Sequence, residues 1–323
     1  MRICVTGGTG FIGGVLVRRL LAKGIAVRVL ARSSPGADEL QAQGAEVVRG
    51  DLRNPDAVRS AVEGTQVVYH TAAKVRGPAS RKEYIETNVA GTRNVFEACL
   101  AKGVPHVVYL SSIAVYGFAE AGAAITEATE CDPRSSERNP YAQSKIEADK
   151  YALAIGRETK LMVTILRPGV VYGPGEPLPV ALLGFRIGNL NIVFGRREQC
   201  FPLTYVENLV DAIELVGRRR GGDSQSYIVL DDDDLTLGAY HRVLNEVAGT
   251  RTLFAPGWPV LLAVRGVEAL LWLLPQGARG WGREVRRALQ NRRYESRHIR
   301  SETGWAPKLG LPAAMKQTRE RSP

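Results

Sequence analysis

Cysteine and histidine are scarce in this chain, four of each in 323 residues. Cys4, Cys99, Cys131 and Cys200 show no C-x-x-C pair and no metal-ligand spacing. A disulfide framework and a metal site are therefore not expected, and a reducing cytoplasm is the default setting. No internal repeat beyond a βα alternation occurs, and no low-complexity linker. The first apolar strand starts at residue 2, so a signal peptide is not expected. No apolar run reaches the ~20 residues that span a bilayer. The nearest, Pro259 to Pro275, is interrupted by Arg265 and Glu268. Acid is the scarcer charge: 43 Lys and Arg stand against 33 Asp and Glu, a net +10. Residues 276–323 hold twelve basic and four acidic residues, so +8 of that charge lies there. The segment has no nucleic-acid motif and no aromatic interleaving, so nucleic acid is not an expected partner. The apolar run before it reads as a helix with one face in the core. The other reading is a peripheral membrane contact, an interfacial helix backed by basic charge. A homodimer is also left open.

What the chain does have begins at residue 2. Arg2-Ile3-Cys4-Val5-Thr6 reads as a buried parallel strand, and Gly7-Gly8-Thr9-Gly10-Phe11-Ile12-Gly13 follows at once. Val15 to Leu21 then carries helical apolar spacing, ended by Gly24. A glycine-rich turn between strand and helix is the context a dinucleotide site requires. Gly7 permits the tight turn, Gly10 lets backbone approach a pyrophosphate, and Gly13 lets the helix pack on the strand. The helix N-terminus faces the anion. The second strand, Ala26 to Leu30, ends in Ala31-Arg32-Ser33. An NAD site places a carboxylate near here, whereas an Arg can pair with the 2′-phosphate of NADP. Positions 30–34 hold no acid, and Arg32 is there, so NADP is expected, with NAD as the alternative.

Further strands end at Gly50-Asp51-Leu52, at Thr71-Ala72-Ala73, at Ser111-Ser112 and at Arg167-Pro168-Gly169. In an open α/β sheet the ligand lies outside the carboxyl ends of the strands. The fold class expected is therefore α/β: a Rossmann-type doubly wound parallel sheet with a smaller, mostly helical C-terminal substrate domain. The dinucleotide-binding domain takes residues 1–172, with 203–230 returning to it. Residues 173–202 and 231–323 form the substrate domain. The polar stretch 118–139 reads as a loop over the site.

Pro140-Tyr141-Ala142-Gln143-Ser144-Lys145 supplies the chemistry. Pro140 suits a first helical turn, and the i,i+4 spacing puts phenol and ammonium on one face. A phenol of pKa ~10 is a poor acid or base at neutral pH. A nearby ammonium favours phenolate and lowers that pKa, so Tyr141 could move the proton of a carbonyl/alcohol pair. Ser112 can hydrogen-bond the reacting oxygen, and Ser111 competes for that role.

With these residues the chain resembles the extended short-chain dehydrogenase/reductase family, which includes sugar-nucleotide epimerases, dehydratases and 3β-hydroxysteroid-dehydrogenase-like reductases. The resemblance runs through Thr6–Gly13, Gly50–Leu52, His70–Ala73, Thr87–Thr92, Leu110–Gly117, Tyr141–Lys145, Arg167–Gly175 and Glu302–Pro307. It implies a Ser112, Tyr141, Lys145 catalytic set, with Ser112 preferred for standing three residues before Val115-Tyr116-Gly117. Asn88 would support it, Asp51 and Leu52 would meet the adenine, and Gly7, Thr9, Gly10, Phe11, Ile12, Gly13, Thr71, Ala72, Ala73 and Pro168 would line the cofactor. Two positions depart from the family's epimerases. Val170 replaces the Asn of R-x-x-N-V-Y-G, and Phe201 replaces the Arg four residues before Tyr205. Both point away from a nucleotide sugar, although Arg196 and Arg197 could hold a diphosphate from a shifted position. Leu203 to Asn208 is more similar to the steroid-dehydrogenase-like branch. The expected function is an NADP(H)-dependent oxidoreductase interconverting ketone and secondary alcohol on a small or natural-product-like molecule. A nucleotide-sugar epimerase or dehydratase is the alternative. A non-catalytic cofactor binder does not suit an intact Ser-Tyr-Lys set.

Overall fold

The structure, a computed structural model, describes residues 2–32, 34–75, 80–117, 123–219, 221–271 and 281–321. Seven parallel strands form the central sheet: β1 (Arg2–Thr6), β2 (Ala26–Ala31), β3 (Glu46–Arg49), β4 (Val67–His70), β5 (His106–Leu110), β6 (Met162–Pro168) and β7 (Gln225–Val229). Their order across the sheet is β3-β2-β1-β4-β5-β6-β7. The order reverses between β1 and β4, where Ile3 pairs with Val67 and Thr6 with His70. That switch point is where an open α/β sheet binds its ligand.

Local sequence explains the elements. Every residue of β4, β5 and β6 is buried, because helices cover both faces of a parallel sheet and leave no polar side. Asn54 caps Pro55–Val62 and Asn139 caps Pro140–Glu158, each with proline at the first helical position. Gly24, at φ 70, turns the chain out of the helix Phe11–Ala22. The sheet divides the core in two. On one face Leu16, Val17 and Leu20 meet Val5, Val29 and Leu209. On the other, Val58, Val95, Phe96 and Ala148 meet Cys4, Val68 and Val107. Each fully buried Val, Leu or Phe contributes ~1.5–3 kcal/mol of apolar transfer.

A three-stranded sheet (Gly184–Ile187, Leu190–Phe194, Arg251–Ala255) and the helices Leu237–Ala248 and Leu311–Glu320 adjoin the carboxyl side. Two sequence expectations need correction here. Residues 123–139 are not a plain loop. Ala124–Ile125 pairs in parallel with Arg293–Tyr294, and Tyr116 bridges Cys131. Residues 118–122 of that stretch lie outside the described ones. The apolar run forms the helix Trp258–Leu271, but no side chain of residues 258–267 is buried, and Trp258, Leu262 and Val267 are exposed. Residues 258–267 therefore show no core-facing side chain; the side chains of 268–271 and all of 272–275 lie outside the described residues. Among the described residues, no helix is long and apolar enough to cross a membrane.

Candidate active site

A cavity of about 1060 Å³ runs along the carboxyl ends of the strands. At its β1 end lies the glycine turn. Gly7 has φ 76, and a Cβ there would stand 2.7 Å from the Ala72 backbone. A Cβ on Gly13 would meet the Gly7 carbonyl at 2.2 Å and Thr71 Oγ1 at 2.6 Å. Both positions therefore exclude any side chain. Gly10 is the N-cap of the helix Phe11–Ala22 and supplies no capping side chain. The first-turn N–H groups thus face the cavity without a side-chain acceptor, which suits an anion.

Gly7, Thr9, Gly10, Phe11, Ile12, Gly13, Arg32, Asp51, Leu52, Thr71, Ala72, Ala73, Ser112, Tyr141, Lys145 and Pro168 all line this one cavity. Of the residues singled out in the sequence, Asn88 does not. It is buried behind the wall, in a π-helical turn Ile85–Ala90. Its side chain accepts from Lys74 N at 2.7 Å and donates to Lys74 O and to Ser144 Oγ, each at 2.9 Å. It fastens the loop after β4 to the helix that carries Tyr141.

That helix sets the reacting groups. Asn139 Oδ1 accepts from Ala142 N at 2.9 Å. Tyr141, Lys145 and Asp149 then follow at four-residue spacing, one face of the helix. The half-buried Tyr141 phenol stands near the Ser112 hydroxyl, and both line the cavity. Ser112 Oγ accepts from Ala114 N at 3.1 Å. Burial pushes the phenol above its usual value, and the Ser112 hydroxyl opposes that. The Lys145 ammonium donates to Leu110 O at 2.8 Å and lies 5.1 Å from the Tyr109 ring centre. Burial brings that ammonium down to about 8, against the pull of Asp149.

Geometry separates the two serines. Ser111 is buried and donates to Asp149 Oδ1 at 2.5 Å. Asp149, itself fully buried, also accepts from Arg167 at 2.7 and 3.2 Å. Ser111 is thus committed to an internal ion-pair network, whereas Ser112 faces the phenol.

A second buried chain spans the switch point. Thr6 Oγ1 lies 2.7 Å from His70 Nδ1, and His70 Nε2 lies 2.9 Å from Thr92 Oγ1. Thr92 donates to Asn88 O at 2.6 Å. Complete burial, with the Lys145 charge adding to it, holds His70 down at about 3 from an ordinary 6.5. The folded state therefore refuses a proton that the unfolded chain binds below pH 6.5. Stability is full above that pH and is lost as pH falls toward 3. Between pH 7.5 and pH 5 this group alone costs about 2 kcal/mol. Denaturant titrations at the two pH values should show that loss shrink by about this amount in His70→Gln. An unchanged pH dependence would assign it elsewhere.

Asp51 Oδ1 accepts from Arg53 N at 2.9 Å and Arg53 Nε at 2.8 Å, which holds its carboxyl below the usual range. Arg32 is exposed at the end of β2 and makes no ion pair among the described residues. Three other residues sit differently from their sequence reading. Phe201 is buried edge-on against Tyr240 at 4.9 Å and does not line the cavity. Arg196 and Arg197 are exposed and do not line it either, and Arg197 lies over the Phe254 ring.

Sequence reasoning missed Arg53, Glu176, Glu284, Arg287 and Arg292, all of which line the cavity. It also missed Asp149, although the Tyr141–Lys145 spacing extended by one more turn points to it.

The family model for the NAD dependent epimerase/dehydratase family matches residues 3–229. The chain belongs to this family. Among curated relatives, a 2-alkyl-3-oxoalkanoate reductase of Shewanella oneidensis is 33% identical over 257 residues. That match takes in 75% of this chain and 64% of the relative, so the chain spans just under two thirds of that enzyme's length. A 3 beta-hydroxysteroid dehydrogenase/Delta 5-->4-isomerase of Mycobacterium tuberculosis is 29% identical, covering 87% of this chain and 75% of that one. Among solved structures, MoeE5 in complex with UDP-glucuronic acid and NAD superposes with a TM-score of 0.74 at 25% identity, over 99% of this chain and 98% of that one. This member of the epimerase/dehydratase family thus has reductase, dehydrogenase and sugar-nucleotide enzymes among its relatives.

Proposed function

We propose that the protein is an NADP(H)-dependent reductase/dehydrogenase that interconverts a ketone and a secondary alcohol. The observation that carries this reading is that Ser112, Tyr141 and Lys145 line the same cavity as the glycine turn. The glycine cradle, closed to any Cβ at Gly7 and Gly13, fits a dinucleotide. When bound, a nicotinamide supplies or takes the hydride at the carbonyl carbon. Ser112 holds the carbonyl oxygen, Tyr141 delivers the proton to it, and Lys145 keeps positive charge beside the phenol. Asn88 positions Lys74 and the Tyr141 helix. In this reading residues 1–172, with 203–230, hold the dinucleotide, and 173–202 with 231–323 hold the substrate. The relatives named as reductase and dehydrogenase support it, and so does the absence of Arg196 and Arg197 from the cavity wall.

NADP is favoured because Arg32 stands at the end of β2 with no ion pair among the described residues, while the nearby acid Asp51 is held by Arg53. A ketone panel read by NADPH absorbance tests the reaction and the cofactor together. Wild-type protein should consume NADPH faster than NADH. Arg32→Ala should lose about ten- to a hundredfold in NADPH affinity and little in NADH, the value of one charge-assisted hydrogen bond. Equal losses for both, or an initial preference for NADH, would sink the cofactor choice. Turnover of a nucleotide sugar without net NADPH consumption would sink the reductase.

A further inference from the structure

The cavity ends in a cluster of arginines that the proposed proton transfer does not use. Arg287 and Arg292 line it from the C-terminal side, and Arg138 stands behind them. Arg138 is fully engaged: it reaches Asp132 at 2.8 Å, Glu284 at 3.1 Å, and the carbonyls of Tyr116 and Ala114 at 3.2 Å each. The other two are not. Among the described residues, Arg287 donates one bond, to Tyr116 O at 2.8 Å, and stands 3.8 Å from Glu284. Arg292, 7% exposed, reaches Gly117 O at 3.5 Å among them and lies over the Tyr294 ring. The Nε of each is buried without a partner.

Arginine is almost never buried unless its charge is matched, and an unmatched buried charge costs several kcal/mol. Among the described residues three guanidiniums face two carboxylates, Asp132 and Glu284, which leaves one positive charge over in that count. Burial and the neighbouring cations Arg292 and Arg138 press Arg287 down to about 9, as an unmatched site would. One negative charge balances the cluster, whereas a diphosphate would overshoot it. The cofactor phosphates do not account for it. The glycine turn and Arg32 lie at the ends of β1 and β2, but these arginines dock on Tyr116 and Gly117 beyond β5, with β4 between. Arg287 and Arg292 line the same cavity as Ser112 and Tyr141. Ile113, Val170, Val171, Leu182, Leu183 and Val285 give that cavity apolar lining as well.

We propose that Arg287 and Arg292 form a carboxylate subsite, so that the substrate is an amphiphilic oxo or hydroxy acid with an apolar body. This deepens the reductase reading and rests on it for the position of the carbonyl. A planar carboxylate can take parallel N–H bonds from guanidinium, the geometry Arg recognises best.

The test separates binding from turnover. Octanoate, its methyl ester and UDP are titrated into the full chain by calorimetry. Methyl-ketone acids and their esters are assayed by NADPH absorbance. Octanoate should bind and its methyl ester should not. Arg287→Gln and Arg292→Gln should each weaken octanoate about ten- to a hundredfold. The same variants should raise KM for the oxo acid by a similar factor with kcat nearly kept, and leave the ester unchanged. Arg287→Lys, which keeps the charge, should retain part of the affinity and shows that loss in the Gln variant is not misfolding. Equal binding of octanoate and its ester overturns the subsite, as does a loss in the variants that is the same for both. UDP binding more tightly than octanoate, through the same arginines, overturns it in favour of a diphosphate site. Octanoate binding that depends on the arginines, without any ketone turnover, leaves the subsite standing and removes the reductase.

Discussion

Tyr141→Phe is expected to reduce turnover by about 10²–10⁴-fold while leaving cofactor affinity nearly intact. The substitution removes one oxygen and keeps the ring, so the helix Pro140–Glu158 loses no packing. What it removes is the cavity-lining hydroxyl beside Ser112 that serves as proton donor in this reading. Because burial raises the phenol, the proton stays on Tyr141 at neutral pH, the state that reduction of a ketone needs. Steady-state rates with NADPH and a separate cofactor titration check this. Wild-type turnover in the variant would take Tyr141 out of the mechanism. A parallel loss of cofactor affinity would make it a binding residue instead.

The dinucleotide half of this site was legible because its signals are local. A strand, a glycine turn and a helix lie within about twenty consecutive residues, and the Gly7 carbonyl that excludes a side chain at Gly13 lies in that span, whereas Gly7 itself meets Ala72 after β4. The prolines and Asn at helix starts are equally local, and they place Tyr141 and Lys145 on one face. The substrate end is different. Arg287 meets Tyr116 across 171 positions, and Arg292 meets Gly117 across 175. No periodicity reports such a contact; it exists because Arg293–Tyr294 adds to Ala124–Ile125 and carries the arginines back to β5. Phe201 failed for a related reason. Its place in the sequence matched a ligand-facing position, but its side chain found more apolar contact against Tyr240 than at the cavity wall. Spacing likewise shows that Tyr141 and Lys145 share a face, but not that the ammonium donates to the Leu110 carbonyl.

The largest effect on stability is expected at Asp149, a residue far from solvent and without a direct role in proton transfer. Its carboxylate is 0% exposed and its partner Arg167 is 2% exposed. It accepts two bonds from Arg167 and one from Ser111. Asp149→Ala leaves the Arg167 guanidinium buried with one remaining side-chain partner, the Tyr116 hydroxyl at 2.8 Å. Breaking a buried pair on one side costs about 3–5 kcal/mol, because the stranded charge cannot recover its hydration. The exposed pair Arg59 with Asp56 gives the contrast: Arg59→Ala should cost well under about 1 kcal/mol, since water replaces the lost partner. Urea unfolding at pH 7.5, read by circular dichroism with the slope held constant, compares the two. The Asp149 loss should also reach the site, because Asp149 ties the face that bears Tyr141 and Lys145 to β6 through Arg167 and to the end of β5 through Ser111. Asp149→Ala that remains folded in the cold should therefore show a lower kcat than Arg59→Ala at the same temperature. A loss below about 1 kcal/mol at Asp149 would mean that Tyr116, or water entering the gap, satisfies Arg167 unaided, and that the network does not hold the helix in place.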